Sequence, residues 1–387
     1  MLRAGVYKQQ SPVLFGKGST EKTGEIAKEL GMTKVLLVTD KGIRGVGHDR
    51  LIQSRLEEQG ITTIVWDGTQ GDCPDSAVRE AARLAKAEQV DGIIGLGGGS
   101  SMDTAKAVAV IAANTEEILE DIPAYLAGEK KYPNRPMELI LIPTTAGTGA
   151  ESTFVCVISD SKLDCKIGLP SSASYAIVDS SLHVNTPAGI TAFSGMDAMS
   201  HAIEALTEVK NTPHSDLLSY EAVRIISEWL PKACEDIADP EARDQLAYAS
   251  NIAGISFSES GVHMGHSVAH NLGHLYHVPH GIGCALMLPP VVEFMAKDYP
   301  EKVRKIGEAM GMSVENEENI GKKVADEIRG LMKRVNIPSL AQQNITREQA
   351  LSLVDLSVGE PLCMSYNGAV EREDIETAVS SAYDDYK

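Results

Sequence analysis

Residues 92–113 read GIIGLGGGSSMDTAKAVAVIAA, and this segment gives the strongest indication of the fold. It opens with an apolar run that predicts a buried strand, and its second half carries Ala, Val and Met at helical spacing. Three consecutive glycines, Gly97, Gly98 and Gly99, separate the two elements. Glycine lets the backbone approach a bulky ligand, and the N–H groups at the start of a helix attract anions. The stretch therefore predicts a strand, a tight turn and a helix that together can hold a pyrophosphate.

The same alternation of strand and helix extends over the first half of the chain. Further strands are predicted at residues 35–39, 61–66, 139–143 and 176–178. Amphipathic helices are predicted at residues 21–30, 49–59 and 76–88. Strands that alternate with helices form parallel sheets covered by helices. We therefore expect an α/β nucleotide-binding domain with a doubly wound parallel sheet over residues 1–187.

The second half of the chain predicts an all-α domain over residues 188–387. Its helices are predicted at residues 195–207, 215–229, 243–256, 302–310, 319–335 and 347–357. The boundary is placed near Pro187 and Gly189, because a proline and a glycine interrupt the pattern there.

The composition excludes several classes of partner. Hydrophobic residues make up 43% and charged residues 23% of the 387 positions, as in an ordinary globular protein. A net charge of −19 repels nucleic acid and anionic lipid. Short apolar runs and the lack of a secretory signal predict a cytoplasmic protein without membrane spans. The six cysteines form no C-x-x-C pair, so any metal is expected on histidine and carboxylate rather than on thiolate.

A second polar loop, PTTAGTG at residues 143–149, offers the hydroxyl groups of Thr144, Thr145 and Thr148 beside small residues. The carboxyl ends of parallel strands meet at one edge of a sheet, so this loop is expected beside the glycine turn. Both loops are predicted to contact a nucleotide.

Two positions qualify that prediction. Ser100 stands where the usual G-x-G-x-x-G fingerprint has its third glycine, so a turn that binds nothing is the alternative. Asp40 ends the first predicted strand, where its carboxylate is either an acceptor for ribose hydroxyl groups or a helix cap.

Histidines cluster in the second half, where six of the ten lie between His263 and His280. The first five, which predict one stripe of imidazoles along a helix, are His263, His266, His270, His274 and His277. His280 follows Pro279 and is expected in a turn. Asp197 and His201 are four residues apart in a helical pattern and share a face. A carboxylate with two or more imidazoles suits Fe(II) or Zn(II), but the spacing leaves open which histidines bind.

These motifs resemble the iron-containing (group III) alcohol dehydrogenases, in the same order along nearly the whole chain. The matching segments are VTD at 38–40, GGGSSMDTAK at 97–106, IPTTAGTGAE at 142–151, GMDAMSHAIE at 195–204 and PHG at 279–281. The resemblance implies a dehydroquinate synthase-like architecture, an NAD-dependent alcohol dehydrogenase and a homodimer or larger homo-oligomer. It also implies iron as the metal, with zinc as an alternative.

The resemblance assigns roles to single residues. The implied metal ligands are Asp197, His201, His266 and His280. The implied contacts to NAD are Asp40, Gly98, Gly99, Asp103, Thr144, Thr145, Thr148, Lys166 and Leu182, with Gly97 and Ser100 completing the pyrophosphate turn. His270 matches a family histidine near the substrate that is not a ligand.

In the mechanism that we favour, hydride passes between a metal-bound small alcohol and nicotinamide, and the reverse reaction reduces an aldehyde or ketone. His270, or alternatively His263, relays the alcohol proton. A dehydroquinate synthase-like or glycerol dehydrogenase-like enzyme is the alternative. A dehydroquinate synthase-type lyase would need basic residues for a phosphorylated substrate, which the matching helical regions lack. A metallohydrolase would leave the two nucleotide loops without a role.

Two residues depart from the family pattern just before the first histidine ligand. Glu259 and His263 stand where members often carry Asn and Gly. We expect them to form a polar wall, and hence a substrate with a polar group beyond the reacting carbon.

Overall fold

The computed structural model describes residues 7–163, 165–315 and 317–387. The described chain divides into two compact units. An α/β unit comprises residues 9–145 and 149–183, and a helical unit comprises residues 7–8, 146–148 and 184–387. Among the described residues, no helix is both long and apolar enough to cross a membrane.

The α/β unit is built on a parallel sheet. The strands are β1 (Val13–Phe15), β2 (Lys34–Val38), β3 (Thr62–Trp66), β4 (Gly92–Gly97), β5 (Glu138–Pro143), β6 (Val155–Asp160), β7 (Cys165–Pro170) and β8 (Tyr175–Val178). Six of them pair in parallel in the order β1-β8-β5-β4-β2-β3, while β6 and β7 form a separate antiparallel hairpin. The predicted parallel sheet is confirmed.

Helices cover both faces of this sheet, α4 and α5 on one face and α1 and α3 on the other. The helices of this unit are α1 (Thr23–Glu29), α2 (Lys41–Val46), α3 (His48–Glu57), α4 (Asp75–Ala87), α5 (Gly99–Ala113) and α6 (Ile122–Leu126). Successive residues of β4 point to opposite faces, so Ile93 packs with α4 and α5 whereas Ile94 packs with α1 and α3. Every residue of β4 is buried as a result.

The helical unit contains the longer helices. They are α7 (Ala188–Ala205), α8 (Pro213–Glu235), α9 (Pro240–Ser260), α10 (Met264–Tyr276), α11 (His280–Asp298), α12 (Pro300–Ala309), α13 (Ile320–Arg334), α14 (Arg347–Leu351), α15 (Val354–Val358) and α16 (Arg372–Asp384). Helix α7 packs against α8, α9 and α11, and α10 packs against α11. This packing forms one continuous apolar core.

Some elements differ from the sequence-based prediction. Strand β1 and the β6–β7 hairpin were not expected, because β1 has only three residues and the hairpin alternates buried and half-buried side chains. Helices α11 and α16 were also not expected. Helix α11 contains Pro289 and Pro290, which ordinarily argue against a helix interior, yet both are buried within it.

Candidate metal centre and nucleotide loops

Three helices bring the four expected ligands together in the helical unit. Asp197 and His201 lie on α7, His266 on α10 and His280 at the start of α11. The Oδ1 atom of Asp197 is 3.6 Å from Nε2 of His280 and 3.9 Å from Nε2 of both other histidines. Nitrogen and oxygen ligands of one tetrahedral metal, each about 2.0–2.1 Å from it, are roughly 3.4 Å apart. The observed separations are a few tenths of an ångström wider.

Two polar atoms of this cluster are buried without a partner. Oδ1 of Asp197 and Nε2 of His266 form no hydrogen bond with any described residue. Their residues are 3% and 2% exposed, so water does not compensate them readily. An unsatisfied buried polar group costs about 1–3 kcal/mol. A divalent cation would satisfy both atoms, and the residues therefore fit one.

The start of α11 differs from the prediction for His280. This residue is the first of the helix rather than part of a turn, because Pro279 occupies the N-cap position, where the missing N–H costs nothing. Gly281 follows it, and a Cβ there would lie 2.3 Å from the backbone oxygen of Phe193 on α7. The glycine thus permits the close approach of α11 to α7 that brings His280 to Asp197.

Glu204 orients one of the ligands and was given no role from the sequence. Its Oε1 accepts a hydrogen bond of 2.7 Å from Nδ1 of His266, and its Oε2 accepts one of 2.7 Å from the backbone N–H of His263. With the proton held on Nδ1, the Nε2 lone pair of His266 faces Asp197. Glu204 follows Asp197 by seven residues and His201 by three, so helical spacing was a signal for it.

Burial and charge pairing shift the pKa values in this cluster. Burial lowers the pKa of His201 to about 4, which keeps its imidazole neutral and able to bind a metal. Burial opposes ionisation of Glu204, but its pairing with His266 and His263 outweighs this and lowers its pKa to about 2. Glu204 is therefore a carboxylate over the whole physiological pH range.

The predicted stripe of five histidines is wrong at both ends. Helix α10 spans only Met264–Tyr276, so His263 is its N-cap and His277, with a φ of 56°, lies beyond its C-terminus. His263 is fully buried and hydrogen-bonds through Nε2 to Oγ1 of Thr207 at 3.0 Å. A repeat of three and four residues does not reveal where a helix begins and ends.

The two candidate proton relays differ in exposure. The side chain of His270 is 17% exposed, and its Nδ1 is 3.5 Å from Oε2 of Glu360. Its ring centroid is 5.5 Å from that of His280. His263 has no exposed surface, and burial lowers its pKa to about 4. Glu360 is distant in sequence, and no pattern pointed to it.

Cys284 lies beside three of the expected ligands, although the sequence had pointed only to histidine and carboxylate. One ligand atom each from Asp197, His266, His280 and Cys284 lie within 4.8 Å of one another. The thiol follows His280 by four residues on α11. The placement of His280 in a turn had hidden this shared helix face.

The structure gives Glu259 a partner that the sequence did not indicate. Its carboxylate lies 2.9 Å from Nδ1 of His214, and its side chain is nearly buried. The ring of Tyr7 stacks on His214 with centroids 4.3 Å apart. Glu259 and His263 thus each engage a partner within the helical unit.

The glycine turn and the start of the second loop, both within the α/β unit, meet as expected. Gly97 and Pro143 are paired in the register of β4 and β5, and the backbone N–H of Thr144 donates to the oxygen of Gly97 at 2.9 Å. Gly97 has a φ of 149°, which favours glycine. Oγ1 of Thr144 is buried and without a hydrogen-bond partner among the described residues, so it can serve a bound ligand.

Helix α5 starts directly at this turn. Its N-cap is Gly98, which has no side chain to accept a hydrogen bond from the first N–H groups of the helix. A Cβ on Gly98 would lie 3.4 Å from Oγ1 of Thr145. The uncapped N–H groups at Gly99 and Ser100 suit an anionic group.

Asp40 is a helix cap that also lies beside the glycine turn. Its Oδ1 accepts hydrogen bonds from the backbone N–H groups of Gly42 and Ile43, at 2.8 Å and 3.0 Å. Its Oδ2 accepts one of 3.5 Å from Oγ of Ser101. Both interpretations left open by the sequence are compatible with this geometry, because only Oδ1 is used by the cap.

The remaining expected cofactor residues have varied surroundings. Asp103 on α5 accepts from the N–H of Val157, and burial raises its pKa to about 6. The Nζ atom of Lys166 lies 2.5 Å from Oδ1 of Asp72. Leu182 packs in the apolar core of the α/β unit. Thr148 belongs to the segment 146–148 of the helical unit.

A parallel-sheet unit with a glycine turn, followed by a helical unit with a candidate aspartate–histidine metal site, is the arrangement expected of a metal-dependent, nucleotide-linked dehydrogenase. Residues 11–180 match the family description "Iron-containing alcohol dehydrogenase", and residues 191–383 match "Fe-containing alcohol dehydrogenase family, C-terminal". The chain belongs to the iron-containing alcohol dehydrogenase family. It is an oxidoreductase of the alcohol dehydrogenase type.

Individual relatives agree with this assignment. The chain is 33% identical to the NAD-dependent methanol dehydrogenase of Bacillus methanolicus over 95% of this chain and 97% of that protein. It is 35% identical to the choline dehydrogenase of Bacillus subtilis (strain 168), over 93% and 90%. A crystal structure of 1,3-propanediol oxidoreductase superposes with a TM-score of 0.92 at 29% identity, covering 98% of this chain and all of that one.

Proposed function

We propose that Asp197, His201, His266 and His280 bind a divalent cation, Fe(II) or Zn(II), and that the enzyme oxidises small alcohols, or reduces the corresponding aldehydes and ketones, with NAD(H). The observation that carries this proposal is the buried, unpaired Oδ1 of Asp197, with three imidazole nitrogens within 3.9 Å of it. A bound cation supplies Lewis acidity toward an alcohol or carbonyl oxygen, and bound NAD supplies the hydride acceptor.

The chain's own residues prepare this chemistry. Asp197 contributes the negative charge that offsets part of the cation's charge. Glu204 keeps the proton of His266 on Nδ1, so that Nε2 remains a ligand atom.

His270 is the proposed proton relay, in preference to His263. A relay must pass its proton to water, and His270 has exposed surface beside Glu360 whereas His263 has none. His263 is instead proposed to position Glu204, to which its backbone N–H donates.

NAD is proposed to bind the α/β unit at the glycine turn. The pyrophosphate would accept hydrogen bonds from the backbone of Gly97, Gly98, Gly99 and Ser100, and the hydroxyl groups of Thr144, Thr145 and Thr148 would contact the ribose and phosphate oxygens. Asp103, Lys166 and Leu182 complete the proposed contact set. Asp40 would accept from the adenosine ribose through Oδ2, which favours NAD over NADP because a 2′-phosphate would meet a like charge.

Broader properties follow from the sequence and the family. We propose that residues 1–187 and 188–387 act as the two domains, which the division of the contacts near residue 184 supports. The relatives named for methanol and choline support a small alcohol as substrate. A cytoplasmic homodimer or higher homo-oligomer is proposed, without nucleic acid or membrane partners, as the charge of −19 suggests.

Three variants test the metal site. His266→Ala and His280→Ala should lose bound metal and alcohol-dependent NADH formation together, and should still bind NADH. His274→Ala is the matched control, since it removes a histidine of the same helix α10 outside the cluster. Metal content is measured by mass spectrometry after anaerobic loading with Fe(II) or Zn(II). Stoichiometric metal in both ligand variants would refute the assignment.

A further inference from the structure

The thiol of Cys284 lies at the candidate metal centre in a position that nothing in the family resemblance assigned. Its Sγ is 3.5 Å from Nε2 of His280, and it is grouped with one ligand atom each of Asp197, His266 and His280. The residue is 1% exposed, so its thiol does not face bulk water.

The distance between sulfur and nitrogen matches shared coordination. A thiolate lies about 2.3 Å and an imidazole about 2.0–2.1 Å from Zn(II), so two such ligands are roughly 3.1–3.8 Å apart at the angles of about 90–120° between neighbouring ligands of a five-coordinate site. Cys284 and His280 are separated by 3.5 Å. Cys284 and His280 are four positions apart on α11, so their side chains lie on the same face of the helix. The helix alone therefore brings the thiol close to the imidazole.

Two unpaired polar atoms indicate that these four side chains surround a binding site for a cation. Oδ1 of Asp197 and Nε2 of His266 are buried and unpaired among the described residues, and both belong to the same group of atoms. A thiol that only donated to His280 would leave these two atoms unsatisfied. A cation within the group satisfies all of them.

We propose that Cys284 is a ligand of the metal, so that this chain has a mixed nitrogen, oxygen and sulfur site that prefers Zn(II) or Co(II) to Fe(II). The inference rests on the proposed function, because it uses the same cation. Thiolate is a soft ligand and selects zinc over the harder cations that carboxylate favours. On binding, the S–H proton leaves to solvent and the sulfur lone pair forms the bond to the cation.

Cobalt reports the bond directly. Metal-free protein is titrated with Co(II) under reducing, anaerobic conditions, and the near-ultraviolet thiolate-to-cobalt charge-transfer band is recorded. We expect this band in the wild type and in Cys363→Ser, the matched control, whose buried thiol contacts Ser267 and Ser357 instead. Cys284→Ser and Cys284→Ala should bind cobalt without the band. A band of unchanged intensity in both variants would overturn the proposal.

Affinity provides a second measurement. Loss of a residue that only orients a ligand typically costs 10–100-fold in metal affinity, and loss of a ligand should cost at least as much. Cys284→Ala should therefore weaken the affinity for Zn(II) by about 100-fold, and the affinity for Mn(II) far less, because Mn(II) does not favour thiolate. Equal losses for the two cations, or no loss, would count against coordination by sulfur. If the Cys284 variants fail to fold, zinc-edge X-ray absorption of the wild type decides: a sulfur shell at about 2.3 Å supports the proposal, and nitrogen and oxygen neighbours alone refute it.

The His280→Ala variant separates this inference from the proposed function. If His280→Ala loses metal while Cys284→Ala keeps both zinc affinity and the cobalt band, only the role of the thiol is wrong. If His280→Ala also keeps its metal, the ligand set itself is wrong.

Discussion

Glu208, which follows α7, gives the sharpest test of the electrostatics of the helical unit. It is 1% exposed, and burial raises its pKa to about 9. Its Oε2 has no hydrogen-bond partner among the described residues. Its Oε1 lies 2.9 Å from Oγ of Ser365, which also contacts the backbone oxygens of Val262 and Leu362. The single hydroxyl proton of Ser365 cannot serve three acceptors at once. If Glu208 is protonated and donates to Oγ of Ser365, only the two backbone oxygens still compete for the serine proton.

The raised pKa of Glu208 makes the free energy of unfolding depend on pH. The folded state holds this proton up to about pH 9, whereas the unfolded chain releases it near the ordinary value of 4.5. The free energy of unfolding therefore falls as pH rises from 4.5 to 9, by about 1.4 kcal/mol per pH unit. At pH 7 the free energy of unfolding is thus about 3 kcal/mol lower than it is near pH 4.5, as far as this group is concerned. Glu208→Gln carries no titratable proton and should avoid this cost.

Thermal unfolding of the two proteins between pH 5 and pH 8.5 measures the difference. Glu208→Gln should match the wild type near pH 5, and its advantage in Tm should grow steadily with pH. Glu301→Gln is the control, because Glu301 is 81% exposed and its substitution should leave the pH dependence unchanged. A Tm difference that stays constant across this range would refute a protonated Glu208.

Three further predictions concern the proposed chemistry. Glu204→Gln should fold but bind Zn(II) about 10–100-fold more weakly in a chelator competition, since a neutral amide holds the Nδ1 proton of His266 more weakly than a carboxylate does; unchanged affinity would contradict this role. His270→Ala should keep its metal and lower kcat by about 10²-fold, and metal loss there would mean that it is a ligand. Asp40→Gly should raise kcat/KM with NADP relative to NAD by about 10²-fold, at a stability cost of only a few tenths of a kcal/mol because glycine is tolerated at an N-cap; an unchanged ratio would leave Asp40 as a cap alone.

Much of the α/β unit could be predicted because its strands are buried on both faces. A continuous apolar run such as that of β4 stands out between polar loops, and the glycines after it mark the turn. The missing elements lack that signal. Strand β1 has three residues, and its place in the sheet depends on pairing with β8, far along the chain.

The candidate site was predictable where its residues share one helix. Asp197 and His201 were recognised from their spacing alone, and the same spacing applied to Glu204. Residues that meet only through tertiary packing were not. Cys284 was missed because the start of α11 was misplaced, and Glu360 reaches His270 from a region with no recognisable pattern.

The pairing of β1 with β8 also constrains the order in which the chain folds during synthesis. Val13–Phe15 pair with residues 176–178, and the backbone N–H of Gly18 donates to Asp179, 161 positions further on. The first strand of the sheet therefore has no neighbour until its partner has left the ribosome. Until then the growing polypeptide exposes the β5 edge that β8 will cover, and this is the interval in which a chaperone would have most to protect.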